Sequence, residues 1–140
     1  MPVRWRMRAP PERPIEMTEL VSLKTKIVTS RFDETRDWYR DLLNLEVLEQ
    51  WDEPGDKGCI LGLGGLPEGA LLEVYFGEGV AADFSGLSLQ FRVGDVDSLF
   101  VPDEARFASR GPEDRPWGSR YLFLTDPNGI SVVIFSGSSL

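Results

Sequence analysis

The sequence predicts an α+β fold built from two tandem βαβββ units. Three observations carry that expectation. A strand-then-helix opening that begins at Leu23 recurs at Leu87, an offset of 64 residues. Near the C-terminus two aromatic and β-branched runs, 121–125 and 130–136, flank Asp126-Pro127-Asn128-Gly129, whose Pro and Gly suit a tight turn, so the chain closes on a hairpin. The 140 residues, 41% hydrophobic, are enough for one buried core and too few for a second domain.

The elements follow in order. Residues 23–29, Leu-Lys-Thr-Lys-Ile-Val-Thr, read as a strand. Ser30 and Asp33 stand in S-x-x-D capping order before a helix whose apolar stripe is Phe32, Trp38, Tyr39, Leu42 and Leu43, and Asn44 suits the left-handed residue that ends it. Strands are expected at 45–51 and 59–63, split by turn residues at 52–56, and at 70–76. The order then restarts. Residues 87–93 alternate apolar and polar side chains, and 94–97 lead into a short helix around 98–104 that Pro102 shortens or breaks. Strands at 106–110, 121–125 and 130–136 complete the second unit. The units therefore run from about 21 to 77 and from 86 to 136 within one domain, 21–140. Residues 77–86, rich in small side chains, link them. Residues 1–20 are expected to be a flexible extension, because Pro2, Pro10, Pro11 and Pro14 interrupt any continuous helix.

Composition narrows the function. Net charge is −8, spread unevenly: residues 1–16 carry +2 and the remainder −10. Such an acidic body repels phosphate backbones, which argues against nucleic acid as a partner. No apolar run reaches eighteen residues, which argues against a membrane partner, and the single cysteine, Cys59, fits a reducing, cytoplasmic setting. With no histidine in the chain, Cys59 also lacks the usual base that activates a cysteine nucleophile. The glycines at 62, 64 and 65 have no following helix and read as a turn, not a phosphate loop.

The run Trp38-Tyr39-Arg40-Asp41-Leu42-Leu43-Asn44-Leu45-Glu46-Val47 resembles the helix-exit motif of the vicinal oxygen chelate superfamily, the glyoxalase, bleomycin-resistance and extradiol-dioxygenase group. Asn44 stands where glycine is common there. Gly111-Pro112, Trp117-Gly118, Arg120 and Asp126-Pro127-Asn128-Gly129 resemble its second-half signature, and the likeness covers roughly residues 21–136. It implies that the two βαβββ units form curved mixed sheets around a cup, a homodimer, and, in most enzymes of the group, a divalent metal held by the first and last strands of each unit. Carried over by motif, those four positions fall on Lys24, Glu73, Ser88 and Val133. Catalytic zinc, iron or manganese sites want about three His or carboxylate ligands, and only Glu73 qualifies. Glu46 and Glu49, on the adjacent strand, are the carboxylates that a slipped register would offer to an oxygen-only site. The expectation is a protein without metal or other cofactor.

Period two then assigns the cup lining. Lys24, Lys26 and Val28 face inward, with Leu23, Thr25 and Ile27 on the helix side; Ser88, Gln90 and Arg92 face inward, with Leu87, Leu89, Phe91 and Val93 opposite. Leu71, Glu73 and Tyr75, then Ser131, Val133 and Phe135, complete the lining, with Trp51 and Trp117 as rim candidates and Arg115 and Arg120 beside the second. The expected ligand-binding set is Lys24, Lys26, Glu73, Tyr75, Ser88, Gln90, Arg92, Trp117 and Phe135. Convergent polar groups in an apolar cup suit a small organic ligand, and the three cations favour one with an anionic group. Alternatively Glu73 pairs with Lys24 or Lys26 and these charges only satisfy one another. The leading expectation is a metal-free small-molecule binder of the bleomycin-resistance kind. Two alternatives stand beside it. One is a lyase, isomerase or dioxygenase of the same superfamily, using Glu73 as base and Lys24 to stabilise an anion. The other is a non-catalytic sensor or interaction domain.

Overall fold

The structure, a computed structural model, describes residues 20–63, 69–80, 83–99 and 105–138. Residues 1–19 of the expected extension over 1–20, the glycines at 64 and 65, and residues 100–104 of the helical segment expected around 98–104 lie outside those residues. Eight described strands form two four-stranded sheets. β1 (Leu23–Thr29), α1 (Phe32–Leu43), β2 (Glu46–Glu53), β3 (Asp56–Gly62) and β4 (Ala70–Phe76) make the first unit, in the sheet order β1-β4-β3-β2. β5 (Ser88–Arg92), β6 (Ser109–Asp114), β7 (Ser119–Thr125) and β8 (Ser131–Gly137) make the second, in the order β5-β8-β7-β6. The first and last strands of each unit run parallel and the other pairs antiparallel. The two sheets repeat in register as well as in order. Lys26 pairs with Glu73 in the first and Gln90 with Val133 in the second, so residues 64 apart in β1 and β5 occupy equivalent places.

α1 forms because its apolar residues fall on one stripe, and Phe32, Trp38, Tyr39 and Leu42 are all buried. It ends at Asn44, in the left-handed conformation (φ 52°, ψ 49°), with the Asn44 N–H donated to the Arg40 carbonyl. The expected Ser30 cap is not used. Arg31 takes the N-cap position without a side-chain hydrogen bond, and Thr29 Oγ1 instead accepts from the Arg31 N–H at 2.9 Å. In the second unit only a single 3₁₀ turn, Val96–Ser98, is described where a longer helix was expected, and Asp95 caps it by accepting from the Asp97 N–H.

β6 is displaced from its expected place at 106–110 because it runs through Gly111-Pro112. A proline breaks a strand reading, yet at a sheet edge its missing N–H deprives no neighbour, and the β6–β7 register slips between Arg110 and Glu113 to pass it.

One core holds both units. Cys59, Leu61, Leu72 and Val74 from the first sheet and Leu122, Leu124, Val132 and Ile134 from the second join the α1 stripe in a single apolar cluster. Tyr39 shows why α1 lies between the sheets: it is fully buried, its ring is 6.4 Å from Phe91 of β5, and its hydroxyl donates to Asp126 at 2.8 Å. Leu23, expected on the helix side, is 71% exposed, at the free end of an edge strand where no described residue covers it.

Candidate functional site

The shared core fixes where the cup residues go. Each sheet turns one face to α1 and the core, so the alternating residues on its other face point away from the interior. The structure therefore gives two half-cups. Lys24, Lys26, Glu73 and Tyr75 are brought together on the first sheet; Ser88, Gln90, Arg92, Trp117 and Phe135 lie on the second.

On the first half-cup, Glu73 is buried and grips two lysines, Lys24 Nζ at 2.8 Å and Lys26 Nζ at 3.6 Å. The lysine side chains remain 44% and 47% exposed, so they are not the buried, unpaired cations that the sequence pattern suggested. Lys26 also lies 4.2 Å from the centre of the Tyr75 ring. Beyond Tyr75, Gly58 opens a space that Trp51 fills. The register sets Tyr75, Gly58 and Trp51 side by side across β4, β3 and β2, and a Cβ at Gly58 would come within 2.5 Å of the Trp51 ring. Asp56 locks Trp51 by accepting from its Nε1 at 2.8 Å, and the same carboxylate raises the Tyr75 pKa. Asp56 escaped the sequence reading because it looked like a turn residue.

The second half-cup is aromatic. Trp117, Tyr121, Phe123 and Phe135 form one tile around Val133. Trp117 meets Tyr121 edge-on at 5.7 Å, and Tyr121 lies 5.8 Å from Phe123 and 5.5 Å from Phe135. Arg110 sits 4.0 Å above Phe123, and Arg115 sits 5.0 Å from Trp117 and 5.8 Å from Tyr121. Both guanidinium groups share Glu113. Tyr121, Phe123 and Arg110 were missed at the sequence level, although the alternation Tyr-Leu-Phe-Leu places both rings on the face of Phe135 and Val133. Arg92 donates to the Gly137 carbonyl at 2.6 Å. Arg120 points to the other face and binds Asp97 and Asp114.

Two residues can be set aside as chemistry. Burial pushes the Cys59 thiol pKa up, which keeps it in the unreactive neutral form. Burial, reinforced by the neighbouring Asp126 charge and hydrogen bond, likewise holds the Tyr39 phenol protonated.

A family model described as the Glyoxalase/Bleomycin resistance protein/Dioxygenase superfamily matches residues 21–134. The chain belongs to this superfamily. Solved structures share the fold. TnmS3, an antibiotic binding protein from Streptomyces sp. CB03234, is 21% identical with a TM-score of 0.62, over 89% of this chain and 99% of that one. A glyoxylase/bleomycin resistance protein/dioxygenase domain from Frankia sp. EAN1pec is 18% identical with a TM-score of 0.63, over 88% and 100%. A mutant of the fosfomycin resistance protein FosX from Listeria monocytogenes, solved with Mn(II), is 14% identical with a TM-score of 0.62, over 87% and 93%. No curated protein matches the chain.

The residues at the four carried-over positions do not fit the superfamily's metal. Glu73 is already engaged by two ammonium groups, Lys24 is one of them, Ser88 is a weak donor and Val133 has none. Among the described residues no three His, Cys, Asp or Glu side chains gather as a ligand set.

Proposed function

We propose that this protein binds a small organic molecule without a metal or other cofactor, in the manner of an antibiotic-sequestering member of the superfamily, and that it does so as a cytoplasmic homodimer. The observation that carries this reading is the state of Glu73. The one carboxylate among the four ligand positions is buried in an ion-paired cluster with Lys24 and Lys26, an arrangement that supports binding by side chains instead of coordination. TnmS3, with the same fold, is an antibiotic binding protein. Sequestration needs only a complementary surface, and the two half-cups supply one polar and one aromatic. They lie apart within one chain, so a second copy would set the polar face of one protomer over the aromatic face of the other. The test is native mass spectrometry and calorimetry on untagged protein with a panel of antibiotics of differing charge, alongside elemental analysis. Stoichiometric binding of a panel member to metal-free protein is the expected result. Turnover that requires near one metal per chain would replace this reading with the enzymatic one.

A further inference from the structure

We infer that the aromatic half-cup is a recognition surface for a flat aromatic acid, with Trp117 and Phe123 contacting the ring system and Arg110 and Arg115 its anionic group. This rests on the small-molecule reading and names the ligand class. Three observations support it independently of any dimer.

The first is shape. Tyr121 and Phe135 are buried beneath the tile, while Phe123 and Trp117 stay half-buried, so the surface left open consists of ring faces and edges. Beside Phe123 lies an open depression of about 400 Å³, floored by Arg110, Ser109, Thr125 and Ser131, a volume within the range of small-ligand sites. The second is charge. Arg110 and Arg115 share the single carboxylate of Glu113, leaving one positive charge in excess at the edge of the tile. An anion placed there meets two guanidinium groups and no further described carboxylate on that face. The third is orientation. Both guanidiniums are held against ring faces, and the Arg115 Nε hydrogen, shielded from solvent, has no acceptor among the described residues. The arginines are thus ordered before a ligand arrives, which reduces the entropy lost on binding.

The test compares 2-naphthoate, 2-naphthylmethylammonium and cyclohexanecarboxylate by calorimetry on the full chain at constant ionic strength, so that the acidic body does not bias the ranking. We expect 2-naphthoate to bind about tenfold more tightly than either of the others, one requirement being the flat ring and the other the negative charge. The Arg110→Gln, Arg115→Gln double variant should lose about tenfold for 2-naphthoate. Arg120→Gln, an arginine neutralised on the opposite face of the same sheet, should leave the affinity unchanged. Phe123→Leu keeps an apolar side chain but removes the ring, and it should weaken 2-naphthoate about fivefold. Circular dichroism confirms that each variant is folded, and Phe123→Leu supplies a second readout if the double variant is not. Equal binding of the two carboxylates, tighter binding of the amine, or affinity untouched in both the double variant and Phe123→Leu would overturn this assignment. None of those results touches the wider reading, which is decided separately by the antibiotic panel and the elemental analysis.

Discussion

Asp126 shows how a motif that reads like a signature of function can be a joint. It is buried and accepts from the N–H groups of Asn128 and Ile130, each at 2.8 Å, so the Asp-Pro-Asn-Gly turn is closed by its own carboxylate. The other oxygen accepts from Tyr39 of α1, and Asn128 bonds Thr29 and Thr35 of the first unit. The turn of one unit is thereby tied to the strand and helix of the other. Replacing Asp126 by Ala leaves the Asn128 and Ile130 N–H groups and the Tyr39 hydroxyl without this acceptor, so it should destabilise the fold by about 3 kcal/mol; Tyr39→Phe, which removes one bond, should cost about 1–2 kcal/mol. Urea denaturation of the two variants checks the ranking, and equal losses would show that the backbone contacts carry nothing. Gly58 offers a sharper residue-level case. An added methyl there collides with the Trp51 ring, which Asp56 holds in place, so Gly58→Ala should lower stability by about 1–3 kcal/mol and shift the tryptophan emission as Trp51 is displaced.

At the scale of elements, period two made most of the fold legible. β4 matches its expected bounds, β5 alternates as read, and the apolar stripe and Asn44 place α1 correctly. What could not be read has physical reasons. Helix capping depends on where the preceding strand delivers the chain, and here Thr29 is held by Asn128 from the other unit, a contact 99 residues away that no local pattern encodes. β6 was misplaced because a proline carries a strong local signal that only sheet position overrides. Alternation sorts the cup residues by face, but which face meets which depends on long-range packing of α1, and sequence periodicity is silent on that. One inter-unit tie also has a pH signature. Asp41 of α1 is pulled upward by partial burial, yet hydrogen bonds from Arg106 and Arg40 outweigh this and hold its pKa below the ordinary value. A carboxylate depressed on folding adds stability that is complete above its unfolded pKa and is lost as pH falls through the folded one. Asp41→Asn should therefore lower stability at neutral pH by less than about 1 kcal/mol, since the pair is partly exposed, and the difference should shrink as acid protonates the Asp41 carboxylate in the folded protein. Thermal melts of both proteins from neutral to acid pH check the convergence.

For the whole molecule, the question is how two half-cups on one chain become a site. The first is charged and carries Lys24, Lys26 and Glu73; the second is aromatic and carries Trp117, Tyr121, Phe123 and Phe135. A core that packs both sheets on α1 turns each half-cup away from the interior, and Leu23 and, 64 residues on, Leu87 just before β5 are both exposed. In a twofold dimer, the polar face of each protomer can meet the aromatic face of its partner twice over, giving two identical composite sites. This makes an unusual prediction about mixing. Take one variant damaged in the polar face, Lys24→Ala with Lys26→Ala, and another damaged in the aromatic face, Trp117→Ala with Phe123→Ala. Each alone should bind poorly, because every composite site contains one damaged half. After denaturation and refolding together in equal amounts, heterodimers form in which one site combines both damaged halves and the other combines both intact halves. About one quarter of all sites should then regain wild-type affinity for a ligand bound by the parent protein. Light scattering should show a dimer at micromolar concentration throughout. A monomer, or a mixture that binds no better than its components, would mean that each half-cup acts alone, and the aromatic face would then have to bind its ligand without help from the lysines.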